Sequence, residues 1–532
     1  MLSQLAVPVS ALAAYAIYRL LLFVYDEVTS PTRSLPGPKS THLIYGNLQE
    51  IQKAENGAAH QAWAQQYGRT FRYFDCTTLT SDTKALNHFL TNSYIYQRPE
   101  PGRYSLGRIV GPGVLVTEED QHKSQRRIMN PAFGAAQVRE LTGIFVDKSL
   151  ELRDAWSLQA ANSGGIVRLD ALSWLSRATL DIIGLAGFNY HFNALSQEDE
   201  SSTELGAAFS TIFRVGLATS PLRILKMFFP VFRFIPSKID TLIDSSQAKM
   251  MQIGRKLLQE SKNEMADNGT FEKGRARDLL SLLVRANTSK DIPESQRLSD
   301  EDVLAQVPTF LVAGHETTST GTTWALFALT QNVAAQSRLR EELLAVETDN
   351  PTMDELNALP YLDCVVRETL RLHAPVVATS RVAMQDDVVP LNTPYTDARG
   401  TVQTTIRVRK GQIIYIPILV VNRDKEIWGA DAEEFRPERW EDPEITNNNS
   451  IPGVWGHILS FLGGPRACIG YRFSLVEMKA LLFTLIRAFE FELAVPAEDI
   501  GKKSVIVQRP IVRSEPKGGN QLPVIVRPYV KS

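Results

Sequence analysis

Cys468 stands in the run FLGGPRACIG, Phe461 to Gly470, and its surroundings suit it to chemistry. Gly463, Gly464 and Pro465 impose a tight, exposed loop, and Gly470 permits a close approach on the far side. An apolar periodic segment, Ile469 to Phe489, follows at once and predicts a helix. A thiol at a helix N-terminus has a lowered pKa, because free N–H groups and the helix dipole favour the thiolate. Arg466 adds a cation two residues away. Such a thiolate can act as a nucleophile or as an axial metal ligand. Zinc is disfavoured, since no second cysteine or suitable histidine lies nearby.

Three other runs carry polar groups at suggestive spacings. In AGHETTS, Ala313 to Ser319, Gly314 leaves room for something to approach a helix, and Glu316 and Thr317 set a carboxylate beside a hydroxyl, a pair suited to relaying protons. His315 between them reads as a packing or pocket-lining residue. Ser299 is the candidate cap of this helical stretch, which runs to about Gln331. In ETLR, Glu368 and Arg371 fall on one helix face; an isolated pair of this kind is ordinarily a surface ion pair. In HKSQR, His122 and Arg126 lie one turn apart.

Together, and in this order along the chain, these runs resemble the cytochrome P-450 (haem-thiolate monooxygenase) family. Its cysteine-ligand loop, F-x-x-G-x-R-x-C-x-G, is met by Phe461, Gly464, Arg466, Cys468 and Gly470. AGHETTS resembles the family's oxygen-activation motif. ETLR, with Arg439 of FRPERW, resembles its bidentate Arg–Glu–Arg support for the cysteine loop. HKSQR resembles W-x-x-x-R with His122 in place of tryptophan, and Arg381 loosely resembles a second haem-propionate arginine.

The resemblance implies a mainly α fold with small β-sheets enclosing one haem b. Cys468 would be the metal ligand. Phe461, Gly464, Arg466, Gly470, Gly314, His122, Arg126 and Arg381 would line or hold the cofactor, and Thr317 and Glu316 would be catalytic. It implies oxygen insertion into a lipophilic small molecule, with electrons from NADPH through a separate cytochrome P-450 reductase and a contribution from cytochrome b5. Arg472 and Lys479 are candidate docking cations. Segments such as RRIMNPAF and EEFRPERW resemble fungal members, which often tailor terpenoids or steroids in secondary metabolism. The rival readings are a haem-thiolate isomerase or dehydratase without external electrons, and a non-catalytic haem sensor or carrier.

The elements that must position these residues read as follows. Among 532 residues, 57 Lys+Arg balance 59 Asp+Glu, a net charge of −2 that gives no basic field for nucleic acid. Three cysteines cannot make a disulfide scaffold; Cys76 and Cys364 read as packing residues. From Leu5 to Tyr25 the chain is apolar apart from Arg19, long enough to span a bilayer core of roughly 30 Å. Residues 1–27 are therefore an expected transmembrane anchor and 28–40 a stiff hinge with Pro31, Pro36 and Pro38. Residues 41–532 are the expected catalytic domain, cytoplasmic at the endoplasmic reticulum because Arg33 and Lys39 follow the span. The sequons at Asn268, Asn287 and Asn448 would stay unglycosylated. Val138, Leu141, Phe145 and Leu152 recur at helical spacing, and helix patterning dominates 118–375. Strand-like runs sit near 69–78, 401–421 and 491–530. Pro221 to Pro236 reads either as a core helix or as a lid dipping into the membrane, and Tyr104 to Val114 as a pocket-lining loop.

Overall fold

The structure, a computed structural model, describes residues 14–15, 17–18, 21–22, 24–25, 28–42, 46–55, 57–73, 77–196, 208, 211, 220–268, 278–288, 297–447 and 450–530. Cys76, Arg19, the sequon asparagine Asn448 and most of the expected anchor lie outside these residues. No helix among the described residues is long and apolar enough to cross a membrane. The described positions of the expected anchor, such as Ile17, Tyr18 and Leu21, are helical and exposed.

Two compact units form, Met1–Gln97 with Ala378–Val421 and Arg98–Val377 with Asn422–Ser532. The first is built on a five-stranded sheet in the order Thr70–Tyr73, Thr77–Thr80, Ile413–Ile416, Thr379–Ala383, Tyr96–Gln97. Its pairs are antiparallel apart from the parallel pair of Thr77–Thr80 with Ile413–Ile416. Trp63, Phe71, Tyr73 and Leu79 pack as its aromatic core. In the proline-rich stretch, Ser30 caps a 3-10 turn over Pro31–Ser34, because proline's fixed φ suits a first helical position.

The second unit is helical. Val138, Leu141, Phe145 and Leu152 are fully buried along one side of helix Ala135–Asn162, as their spacing predicted. Ser299 accepts from Asp302 N and opens the short helix Asp300–Leu304; after a break at Ala305 the long helix Gln306–Gln331 begins. That long helix packs against Ala171–Phe188 and Tyr471–Ala488. A three-stranded sheet joins Val167–Asp170 and Phe489–Leu493 to the central strand Pro523–Pro528. The fold is mainly α with small sheets, as expected.

Two local expectations change. Tyr104 to Val110 belongs to helix Glu100–Val110, so the supposed loop is loop only from Gly111. Pro221 to Pro236 is not a core helix: helix Pro221–Phe228 and a 3-10 turn at Pro230–Phe232 leave Ile224, Phe228, Val231 and Phe234 exposed. Lys226 points inward instead, paired with Asp240. Asn287 is buried, with Nδ2 donating to Leu298 O at 2.9 Å and Oδ1 accepting from Leu298 N at 2.6 Å, which agrees with an unglycosylated sequon.

Candidate haem-binding and active site

The cysteine loop is shaped by its own backbone. Cys468 N donates to Phe461 O at 2.8 Å, and Leu462 O accepts from Val454 N at 2.8 Å. Leu462 and Gly464 hold left-handed φ values of 55° and 67°, which close the turn ahead of Pro465. Gly470 is the N-cap of helix Tyr471–Ala488, so Cys468 lies two residues ahead of the cap.

Cys468 lines a cavity whose atom-free space, open solvent included, is about 860 Å³. Phe461, Arg466 and Gly470 also line it, while Gly464 shapes the 3-10 turn Gly464–Arg466 beside it. Ala313, Gly314, Thr317 and Thr318 line it from helix Gln306–Gln331, and Val114, Ile183 and Phe310 supply apolar walls. The expected lowering of the Cys468 thiol pKa is corrected. Burial raises it, and the Gly470 N–H and the Arg126 guanidinium act in the opposite direction without overcoming that effect. Two residues ahead of the helix cap, the sulfur sees little of the dipole.

Three guanidinium groups reach the same cavity: Arg98, Arg126 and Arg466. Arg126 Nη1 donates to Ala467 O at 2.6 Å and its Nε to Asn130 Oδ1 at 2.9 Å. Arg466 Nη1 donates to Thr117 O at 2.7 Å, and its Nη2 pairs with Glu118. His122 lines the cavity too; burial, helped by Arg466, Arg126 and Arg98, lowers its pKa to about 3, so the ring is neutral. Arg381 lies in the other unit, buried on strand Thr379–Ala383, where Nη1 donates to Ser380 O at 2.8 Å and Thr379 Oγ1 at 3.0 Å.

Thr317 Oγ1 donates to Ala313 O at 2.7 Å from the cavity wall. Glu316 does not line the cavity; its carboxylate is paired with Arg509 of strand Gln508–Val512. What approaches Gly314 closely is a neighbouring helix: a Cβ there would meet Ile183 Cδ1 at 2.8 Å. His315 is a packing residue, its Nε2 2.8 Å from Ser176 Oγ.

The ion pair expected at the surface from Glu368 and Arg371 alone is buried. Arg371 binds Glu368 twice, at 2.8 Å each, and Arg439 Nε adds a third contact at 3.4 Å. Lys479 is no docking cation: it is buried, its Nζ 2.8 Å from Asp363 Oδ1 and 3.0 Å from Asn357 Oδ1. Arg472 is exposed. Cys364 is buried, and burial pushes its thiol up to about 12, as suits a packing residue.

Sequence reasoning missed Arg98, Glu118, Ile183 and Arg509. None sits in a spacing pattern; Glu118 stands just before helix Glu119–Met129, where an acidic residue reads as ordinary helix-start chemistry. Among the described residues no cluster of three or more His, Cys, Asp or Glu could hold a metal. One thiol, three guanidinium groups and apolar walls fit a large apolar cofactor that bears carboxylates and brings most of its metal's ligands with it.

Comparison with known proteins agrees with this site. The family model "Cytochrome P450" matches residues 36–513. The chain is 53% identical over 531 residues to "Cytochrome P450 monooxygenase 205" of Postia placenta, covering 98% of this chain and 97% of that one. It is 53% identical over 534 residues to "Cytochrome P450 monooxygenase 128" of the same fungus, covering 98% and 96%. With "Cytochrome P450 monooxygenase claO" of Ampulloclitocybe clavipes it shares 35% over 514 residues, covering 93% of each.

Proposed function

The chain belongs to the cytochrome P450 family and is a monooxygenase; on that premise we propose that it inserts one oxygen atom from O2 into a lipophilic small molecule, in one or successive oxidations. The observation that carries this reading is the Cys468 thiol facing an apolar cavity that the Thr317 hydroxyl also lines. Haem, when bound, supplies the activation of oxygen, and a thiolate ligand favours O–O cleavage. Cys468 supplies that ligand. Arg98, Arg126 and Arg466 neutralise the cofactor's carboxylates, because a buried carboxylate needs a cationic partner. Thr317 holds a proton at Oγ1 at the cavity wall. For Glu316 to pass a proton into the cavity, its pair with Arg509 must open.

Val114, Ile183 and Phe310 exclude water and favour an apolar substrate. Terpenoid or sterol-like tailoring in secondary metabolism is the substrate class we propose. Electrons come from NADPH through a separate membrane-bound reductase, with cytochrome b5 as a second donor. The proposed location is the endoplasmic reticulum membrane, held by the N-terminal anchor. The exposed Ile17, Tyr18 and Leu21, and the outward Phe228 and Phe234, support contact with lipid.

The test is the carbon monoxide difference spectrum of the reduced protein. Wild type should give the red-shifted Soret band of thiolate-ligated haem, and Cys468→Ser should lose it. A wild type without that band would sink the reading.

A further inference from the structure

Glu118 is a buried carboxylate, 9% exposed, in a cluster of cations, and the reaction as described leaves it without a task. One oxygen, Oε2, pairs with Arg466 of the cysteine loop. The other, Oε1, accepts from the Arg98 backbone N at 3.1 Å. Beside it, Thr117 O takes Arg466 Nη1 at 2.7 Å. One side chain thus ties together three segments that wall the cavity: the chain at Arg98, the turn before helix Glu119–Met129, and the cysteine loop.

The charges there call for such a group. Arg98, Arg126 and Arg466 all reach the cavity, and Arg103 acts on Arg466 from nearby. Clustered cations in a low-dielectric wall repel one another strongly, so one internal anion lowers the cost of holding them together. With Glu118 engaging Arg466 and the Arg98 backbone, the Arg98 guanidinium keeps its buried Nε without a protein partner. Arg98 itself lines the cavity.

Resting on the haem-thiolate reading above, we infer that Glu118 is a positioning residue for the carboxylates of the bound haem. It cancels one unit of charge in the arginine cluster and sets Arg466 and Arg98 in place, and its own negative charge lowers the reduction potential of the cofactor. Supporting groups of this kind change cofactor affinity without touching the metal.

The test uses the haem-loaded, full-length protein and compares wild type with Glu118→Gln and Glu118→Asp. Three readouts are taken: the rate of haem transfer to excess apo-globin, the reduction potential, and thermal melting of the haem-free and haem-loaded forms. Glu118→Gln should lose haem about tenfold faster and shift the potential positive. Glu118→Asp keeps the charge but is too short to bridge both partners, so it should lose haem faster at a near wild-type potential. If Glu118→Gln does not fold, the aspartate variant alone decides by that pattern. Haem loss and potential unchanged from wild type, or equal destabilisation of both forms with an unmoved potential, would overturn the inference. A wild type lacking the thiolate band would instead count against the haem-thiolate reading, so the two failures are distinguishable.

Discussion

Glu368 sits where no water can replace a lost partner. Its two oxygens take Arg371 twice, Arg439, Trp440 Nε1 at 3.0 Å and the Arg436 backbone N at 3.0 Å. Arg371 extends the network to the carbonyls of Asn422 and Ala432. The cluster ties helix Pro360–Leu372 to the 3-10 turn Pro437–Glu441. Replacing the carboxylate by an amide leaves the buried Arg371 guanidinium without its counter-charge, a change worth about 3–5 kcal/mol, while Arg439 keeps Asp431 Oδ1 at 2.9 Å. Glu368→Gln should therefore lower the urea midpoint by that equivalent and reduce recovery of haem-loaded protein. A loss below about 1 kcal/mol would show the pair to behave like an exposed one. The motif spacing of Glu368 and Arg371 was visible in the chain, but their burial was not, because spacing reports a shared helix face and not what covers it.

At the scale of elements, Gly314 decides how closely two helices meet. A Cβ at this position would lie 2.8 Å from Ile183 Cδ1 and 2.9 Å from its Cγ1. Alanine gains about 1 kcal/mol of helix propensity over glycine, whereas overpacking a core costs about 1–3 kcal/mol. Because Ile183 is β-branched and itself buried, its side chain cannot swing away cheaply. Gly314→Ala should thus be net destabilising by about 1 kcal/mol. The trimmed neighbour in Gly314→Ala with Ile183→Val removes the Cδ1 contact but keeps the Cγ1 one, and should recover part of that loss in a double-mutant cycle of chemical unfolding. An alanine variant as stable as wild type would refute this packing account. The short strand Val167–Asp170 shows the same limit on sequence reading: four residues carry little periodicity, and their partner Pro523–Pro528 lies at the far end of the chain.

At the scale of the whole molecule, acid stability follows from buried neutral histidines. In the first unit His60 is buried, stacked on Tyr415 at 4.7 Å and edge-on to Tyr73 at 5.0 Å. Burial lowers its pKa from 6.5 to about 4. The unfolded chain binds the proton first, so this group's contribution is full above about pH 6.5 and is lost as pH falls towards 4. The difference is worth roughly 3 kcal/mol. His60→Phe, which keeps the ring packing, should flatten the fall of the urea midpoint between pH 6.5 and 4, and an unchanged pH profile would refute it. What the sequence by itself determined is the identity of the centre. The loop around Cys468 and the Gly314–Thr317 turn are local, and local residue types dictate local backbone and donor chemistry. Only the tertiary structure decided which charges share a wall. It drew Glu316 to Arg509 and Glu118 to Arg466, turned Lys479 inward, and raised the Cys468 thiol pKa that a helix start alone would have lowered. Electrostatic energies depend on distance and dielectric between groups hundreds of residues apart, and those are properties of packing and not of spacing.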